Sequence, residues 1–244
     1  MSSGRQGAMV AAVTEGLCVG LLATVLAFPR AVAARDLAHL SGANGPAPAT
    51  EPLTEPGPKR ANFLGEQASD DARQVANWVT ASGDNRSLPF VIVDKVNAKV
   101  FLFDNHGQLR GASRALLGLA RGDDSVAGIG DRKISSIRPE ERITPAGRFV
   151  ASLGHDTAGR DILWVDYADA VSLHRVITSN PTENRLQRLA TASSLDKRIS
   201  YGCINVPALF YNSVVIPAFT GTNGVVYILP EIRSLRELFF GLSR

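Results

Sequence analysis

The sequence predicts a mainly β domain of the α+β class, its strands paired chiefly antiparallel and its few helices peripheral. Three observations predict it. From residue 90 onward, short runs rich in Val, Ile, Leu and Phe recur, each bounded by turn residues and too short for a helix. Turns and glycine-rich loops join these runs, where a doubly wound parallel sheet would interleave helices. Helical signals lie ahead of the first strand and, in the second half, beyond residue 180.

In chain order, Arg5 precedes an uncharged apolar run, Gly16 to Phe28, then Pro29 and the small-residue triplet Ala31-Val32-Ala33. That order is the pattern of an export signal, so residues 1–34 are read as a signal peptide and the protein as exported to the periplasm or cell envelope. The run falls short of the about 20 residues of a comfortable membrane span. An uncleaved membrane anchor starting near Met9, which would enclose Glu15, is the alternative, and a cytosolic N-terminal helix is a third reading. Residues 35–62 read as a linker, because Ser41 to Arg60 is rich in Pro, Gly and Ala and has no apolar periodicity. Residues 63–87 carry a helix over Glu66 to Ala81, with Val75, Trp78 and Val79 on one face and Ser82-Gly83 as its stop.

Residues 88–232 form the main domain. Phe90 to Asp94 and Lys99 to Asp104 pair across the turn Lys95 to Ala98. After Asn105-His106-Gly107 comes an alternating run, Gln108 to Leu117, then a long charged, glycine-rich loop, Gly118 to Arg138. Arg148 to Leu153, Asp161 to Asp166, the short apolar run ending in His174, and Gly224 to Leu229 are further strands. Pro181 to Ala190 is predicted as one helix, with Asn180 as N-cap, Pro181 at the first position and Glu183 completing a capping box. A second helix runs from Pro207 to Val215. The closing segment, 233–244, is helical, its signal spanning Ile232 to Phe240.

A net charge of +3 with no long run of like charge, and 7% aromatic residues, give no footprint for nucleic acid. Gly128-Ile129-Gly130 lacks the strand and helix of a dinucleotide turn, and no phosphate loop occurs, so no cofactor is expected. His155, Asp156, His174 and Cys203 lack the close His–His spacing of a metal site, so no metal is expected either.

The chain has two cysteines, and Cys18 lies within the apolar N-terminal run. If that run is removed, Cys203 has no intramolecular disulfide partner. A free thiol is mostly protonated at neutral pH and needs a base or a positive neighbour to act as a nucleophile. Of the histidines, His39 lies near the signal, His106 in a turn and His155 after a strand; His174, at the end of its strand, is the candidate base. Gly202 would let the chain bend so that the amides of Gly202 and Cys203 face a developing oxyanion. On the residues alone a second reading stands beside this one: Cys203 as a small core residue and His174 as a hydrogen-bonded structural histidine.

Ser200-Tyr201-Gly202-Cys203-Ile204-Asn205 resembles the signature of the L,D-transpeptidase catalytic domain (the YkuD type): Ser/Thr-His-Gly-Cys, an apolar residue, then Arg or Asn. Leu173-His174 resembles that family's apolar-His-Gly element, and Thr144-Pro145-Ala146-Gly147-Arg148-Phe149 its Thr-Pro-x-Gly-x-Phe stretch. Phe90 to Phe103 resembles its opening hairpin. The resemblance covers roughly Phe90 to Pro230, with the motifs in the family's order. It departs in three places: Tyr201 stands where the family usually has histidine, Arg175 where it has glycine, and the separation from His174 to Ser200 is longer.

The resemblance implies an antiparallel β catalytic domain acting on peptidoglycan stem peptides, with Cys203 as nucleophile, His174 as base, and Ser200, Tyr201 and Gly202 completing the catalytic set. It implies a Cys thioester formed as D-alanine leaves, then displaced by an amine. Substrate-binding candidates are Asn205, from the signature, and Arg175 and Arg198, whose guanidiniums suit stem-peptide carboxylates. Arg185 and Arg188 share that neighbourhood on a helix that would serve as a lid, with a solvated helix face as the alternative. Two rivals remain: an L,D-carboxypeptidase of the same fold, and a catalytically silent peptidoglycan-binding protein in which Tyr201 and Arg175 mark decay.

Overall fold

The computed structural model describes residues 59–240. The signal or anchor at 1–34, the linker except for residues 59–62, and the last four residues of the closing helix lie outside the described residues. Among the described residues no helix is long and apolar enough to cross a membrane.

Helix α1 (Asp70–Ser82) opens the described fold. Ser69 caps it by accepting the Ala72 N–H at 3.1 Å, Asp70 and Asp71 sit in its first turn, and Gly83 ends it in a left-handed conformation, φ +69°. The strands follow: β1 (Phe90–Asp94), β2 (Lys99–Phe103), β3 (Leu109–Arg114), β4 (Leu117–Gly118), β5 (Gly147–His155), β6 (Asp161–Asp166), β7 (Val171–Arg175), β8 (Arg198–Ser200), β9 (Ile204–Val206) and β10 (Gly224–Ile228). Eight of them form one sheet in the order β3-β2-β1-β10-β5-β6-β7-β9, while β4 pairs with β8. The fold is mainly β with a few helices. Most neighbours are antiparallel; β1–β10, β7–β9 and β4–β8 are parallel.

At β1, β2 and β10 both faces of the sheet are covered, which explains why β1 reads as an unbroken apolar run. Val91 and Val93 point into one core with Val100, Leu102 and Leu163. Phe90 and Ile92 point into the other, with Phe101, Phe103 and Tyr227, under Val75 and Val79 of α1. The first core is closed by α3 (208–219) through Phe210, Tyr211, Val215 and Phe219. This helix outruns the predicted stop at Val215 and widens to a π-helical turn at Tyr211–Val215. The widening lies one turn ahead of Pro217, which has no N–H to continue the ladder.

The predicted helix Pro181 to Ala190 is broken. A 3-10 turn, Pro181–Glu183, is followed by Asn184 at φ +49° and then by α2 (Arg185–Ala190). Asn180 does cap its turn, accepting the Thr182 N–H at 3.2 Å, but Glu183 pairs with Arg185 and completes no capping box. The C-terminal helix starts later than predicted, and among the described residues it is a π-helical turn at Arg236–Phe240.

Candidate active site

The site is built where β7 and β9 lie side by side. Their register pairs Leu173 with Ile204 and His174 with Asn205. Strand alternation then sends Leu173, Ile204 and Val206 into the core, while Ser172, His174 and Cys203 line a cavity of about 680 Å³ on the other face. The long separation from His174 to Ser200 is the crossover that a parallel pair requires.

Around the thiol the contacts are specific. Ser172 Oγ donates to Cys203 Sγ at 3.5 Å, and the thiol donates to the Ala170 carbonyl at 3.6 Å. His174 Nδ1 lies 2.7 Å from the Arg175 carbonyl. A carbonyl can only accept, so Nδ1 holds the proton, and Nε2 of the neutral ring is the basic nitrogen. Burial pushes the Cys203 thiol up, but the hydrogen bond and charge of His174, with the Ser172 hydroxyl and backbone N–H, outweigh it and leave the thiol below its ordinary value.

The signature residues hold the cysteine in place. Ser200 Oγ donates to the Cys203 carbonyl at 2.6 Å, and Asn205 Nδ2 reaches the same oxygen at 3.2 Å. Gly202 has φ +133°, and a Cβ there would sit 2.8 Å from the Ile143 carbonyl oxygen, so a side chain is excluded both by conformation and by space. Its N–H turns back to Ser200 Oγ at 3.2 Å. This corrects the expectation that both amides face an oxyanion: the Gly202 N–H is engaged, whereas the Cys203 N–H takes part in none of the hydrogen bonds found among the described residues. Thr144 Oγ1 donates to the Gly202 carbonyl at 2.8 Å and accepts the Gly118 N–H at 2.8 Å, which joins the Thr-Pro stretch to the cysteine loop.

Tyr201 lines the cavity, 37% exposed, with the Arg142 guanidinium 3.9 Å above its ring. Arg175 also lines the cavity. Its Nη2 pairs with Asp161 at 2.9 Å, its Nε bonds Asn212 at 2.7 Å, and it lies 4.5 Å over the Tyr211 ring.

The other substrate-binding candidates are placed elsewhere. Arg198 is not part of the cavity wall; it donates to the Lys95 carbonyl at 2.9 Å and to buried Glu231 at 2.6 Å. Asn205 is 1% exposed and accepts from Arg185 Nη1 at 2.7 Å. Arg188 bonds the carbonyls of Glu183 and Asp196. Neither Arg185 nor Arg188 lines the cavity, so α2 braces the cysteine loop and presents neither guanidinium to a ligand there.

Sequence reasoning gave Ser172, Thr144 and Asp161 no role. Ser172 was findable, being two residues from His174 on the same strand face. Thr144 lay in a quoted motif without an assignment, and the Asp161–Arg175 pair depends on strand register. Among the described residues no cluster of three His, Cys, Asp or Glu side chains suits a metal ion.

No family model matches the chain, and no curated protein does. Solved structures do show likeness. The L,D-transpeptidase LdtMt1 in complex with imipenem is 14% identical, over 58% of this chain and 58% of that one, at a TM-score of 0.33. The catalytic domain of the E. faecium L,D-transpeptidase is 16% identical, over 59% of this chain and 98% of that one, at 0.32. An L,D-transpeptidase (Yku) from Stackebrandtia nassauensis is 12% identical, over 66% and 65%, at 0.35. The matched part thus spans less than two thirds of the first and third of these proteins. Likenesses at these identities and TM-scores stand as observations, and the chemistry of the site is read from its own residues.

Proposed function

We propose that the protein is a cysteine acyltransferase of the L,D-transpeptidase kind, acting on peptidoglycan stem peptides outside the cytoplasm. The observation that carries the reading is the Cys203–His174 pair at the cavity wall, with the thiol lowered and Nε2 left as the basic nitrogen. The motif resemblance supports it, and an N-terminal export signal fits a substrate outside the membrane.

In this mechanism His174 Nε2 takes the thiol proton and Cys203 Sγ attacks the carbonyl carbon of the diamino-acid residue that precedes the terminal D-alanine. The Cys203 N–H, without a hydrogen-bond partner among the described residues, is the donor left for the oxyanion. Collapse of the tetrahedral intermediate breaks the C–N bond, and the imidazolium returns its proton to the departing amine. The thioester is then attacked by a second amine, which loses a proton to His174; the new amide forms and the thiol is restored. Water in place of that amine gives a carboxypeptidase. Of the candidate substrate-binding residues, Arg175 alone lines the cavity wall, where its guanidinium is held by Asp161 and Asn212, so a substrate carboxylate would bind there in exchange for one of these partners.

Intact-mass analysis of the protein incubated with a stem tetrapeptide, and separately with a carbapenem, tests this. A covalent adduct is expected on the wild type and none on Cys203→Ala. No adduct with either reagent on folded wild-type protein, with peptidoglycan binding retained in Cys203→Ala, would replace the enzyme with a binding protein.

A further inference from the structure

We propose that Asp161 and Asn212 are positioning residues for the base: by clamping the Arg175 side chain they hold the carbonyl that orients His174. The inference rests on the acyltransferase reading and assigns the part of the site that steers its proton transfer.

The contacts run outward from the base. His174 Nδ1 lies 2.7 Å from the Arg175 carbonyl, which therefore fixes the tautomer and the direction in which Nε2 faces. Arg175 is the last residue of β7, and β6 and β7 are paired only as far as Leu163–Leu173. Beyond that point the side chain takes over from the backbone ladder. Arg175 Nη2 donates to Asp161 Oδ2 at 2.9 Å and Nη1 to the Asp161 carbonyl at 3.3 Å, which ties it to the first residue of β6. Arg175 Nε donates to Asn212 Oδ1 at 2.7 Å, and the guanidinium lies 4.5 Å over the ring of Tyr211, which is buried. Tyr211 and Asn212 open the π-helical turn of α3, so Arg175 is fixed to two separate elements. Strand alternation sends its side chain to the face opposite His174, the place for a brace behind the base.

Charge points the same way. Arg175 is bonded in sequence to the residue that becomes positive when the thiol gives up its proton, and an unpaired guanidinium there would oppose that step. Asp161 supplies the counter-charge: the hydrogen bond from Arg175 holds its carboxyl below the ordinary value, in the charged form. A glycine at this position, as in the resembled family, would present the same carbonyl with no side chain to hold it and no charge to balance.

The test follows acylation of Cys203 by a tetrapeptide donor, read by intact mass, and alkylation of the same thiol by iodoacetamide at neutral pH. Asp161→Asn should lower the acylation rate constant by about tenfold, the scale of loss when a catalytic group is slightly misplaced, and leave the half-saturating donor concentration near its wild-type value. Asn212→Ala, a milder change, should lower it less, and Arg175→Lys should retain more of the rate than Arg175→Met. Combining Asp161→Asn with Arg175→Met should be no slower than Asp161→Asn alone, since both act through one chain of contacts. Alkylation should be slower in Asp161→Asn than in the wild type, and Asp161→Asn should change nothing further in a His174→Ala background. A raised half-saturating concentration with an unchanged rate constant in Arg175→Met would overturn the proposal and make Arg175 a substrate anchor. A further loss of alkylation rate on top of His174→Ala would overturn it as well, by showing that the clamp supports the fold around the thiol and not the base. Failure of the donor to acylate wild-type Cys203 would remove the acyltransferase reading, and the alkylation comparison would then decide the positioning role on its own.

Discussion

The thiol of Cys203 sits between opposing influences. Burial disfavours its charged form, while the His174 charge and hydrogen bond, the Ser172 hydroxyl and the Ser172 N–H favour it, and the second group prevails. A lowered thiol is deprotonated at lower pH, so its thiolate fraction at neutral pH is larger than that of an unperturbed cysteine. The alkylation rate of the folded protein with iodoacetamide should therefore reach half its plateau below the ordinary thiol value of about 8.5. In His174→Ala the midpoint should move up, because the charge is lost and burial stays; in Ser172→Ala it should move up less. A wild-type midpoint at or above that ordinary value would mean that burial dominates and that the pair is not poised for attack. The same residues show how much of the site was legible. Cys203, His174, Gly202 and Ser200 stood out in the sequence by chemical type and local order, and the structure brings the first two to one cavity wall. Asn205 and Arg198 were misplaced as substrate ligands, because which way a polar side chain turns depends on partners far along the chain: Arg185 for the first, Lys95 and Glu231 for the second.

The crossover between β7 and β9 is the element that distinguishes this site. Arg185, at the start of α2, donates to Asn205 Oδ1 at 2.7 Å, and Asn205 Nδ2 donates to the Cys203 carbonyl at 3.2 Å. Removing the guanidinium leaves the oxygen of a buried amide without its partner, which costs about 1–3 kcal/mol. It also frees Asn205 to turn away from the cysteine loop. Arg185→Ala should lower the acylation rate constant of Cys203 by about tenfold, as expected when a remote change lets the nucleophile shift slightly, and leave the half-saturating donor concentration near its wild-type value. Arg185→Lys, which keeps one donor, should recover part of the rate. A rise in half-saturation with an unchanged rate constant would instead make α2 part of the substrate surface. Strand periodicity and turn residues foretold the opening hairpin and most of the sheet, because those signals are local. They did not foretell the parallel neighbours β7–β9, since register between distant segments leaves no mark on local alternation. The helix over Pro181 to Ala190 failed at Asn184, where the chain takes φ +49° and Glu183 finds Arg185.

At the scale of the whole molecule, a buried ion network ties the cavity loop to the segment that follows β10. Lys95 Nζ meets Asp123 at 2.8 Å and the Thr144 carbonyl at 2.9 Å. Asp123 also accepts the N–H groups of Glu231, Ile232 and Arg233, at 2.8, 2.9 and 2.7 Å, and Glu231 accepts from Arg198 and Arg121. Thr144 passes the constraint to the Gly202 carbonyl, so the cavity wall and the cysteine loop share one anchor. Burial pushes the Asp123 carboxyl up, but Lys95 and the backbone donors overcome this and bring it from 3.8 down to about 2. A carboxyl depressed in the folded state contributes stability in full above its unfolded value of 3.8, and that contribution fades as pH falls towards 2. The depression corresponds to about 2 kcal/mol. Asp123→Asn keeps the shape but leaves Lys95 with a lost partner in a buried site, a change of about 3–5 kcal/mol at neutral pH. Urea unfolding of the two proteins should therefore show a wide stability gap at pH 7 that narrows between pH 4 and pH 2, as the wild type loses what the variant never had. A gap that stays constant across that window would show that Asp123 holds its proton in the fold, and that the backbone donors alone, without the charge, anchor the loop.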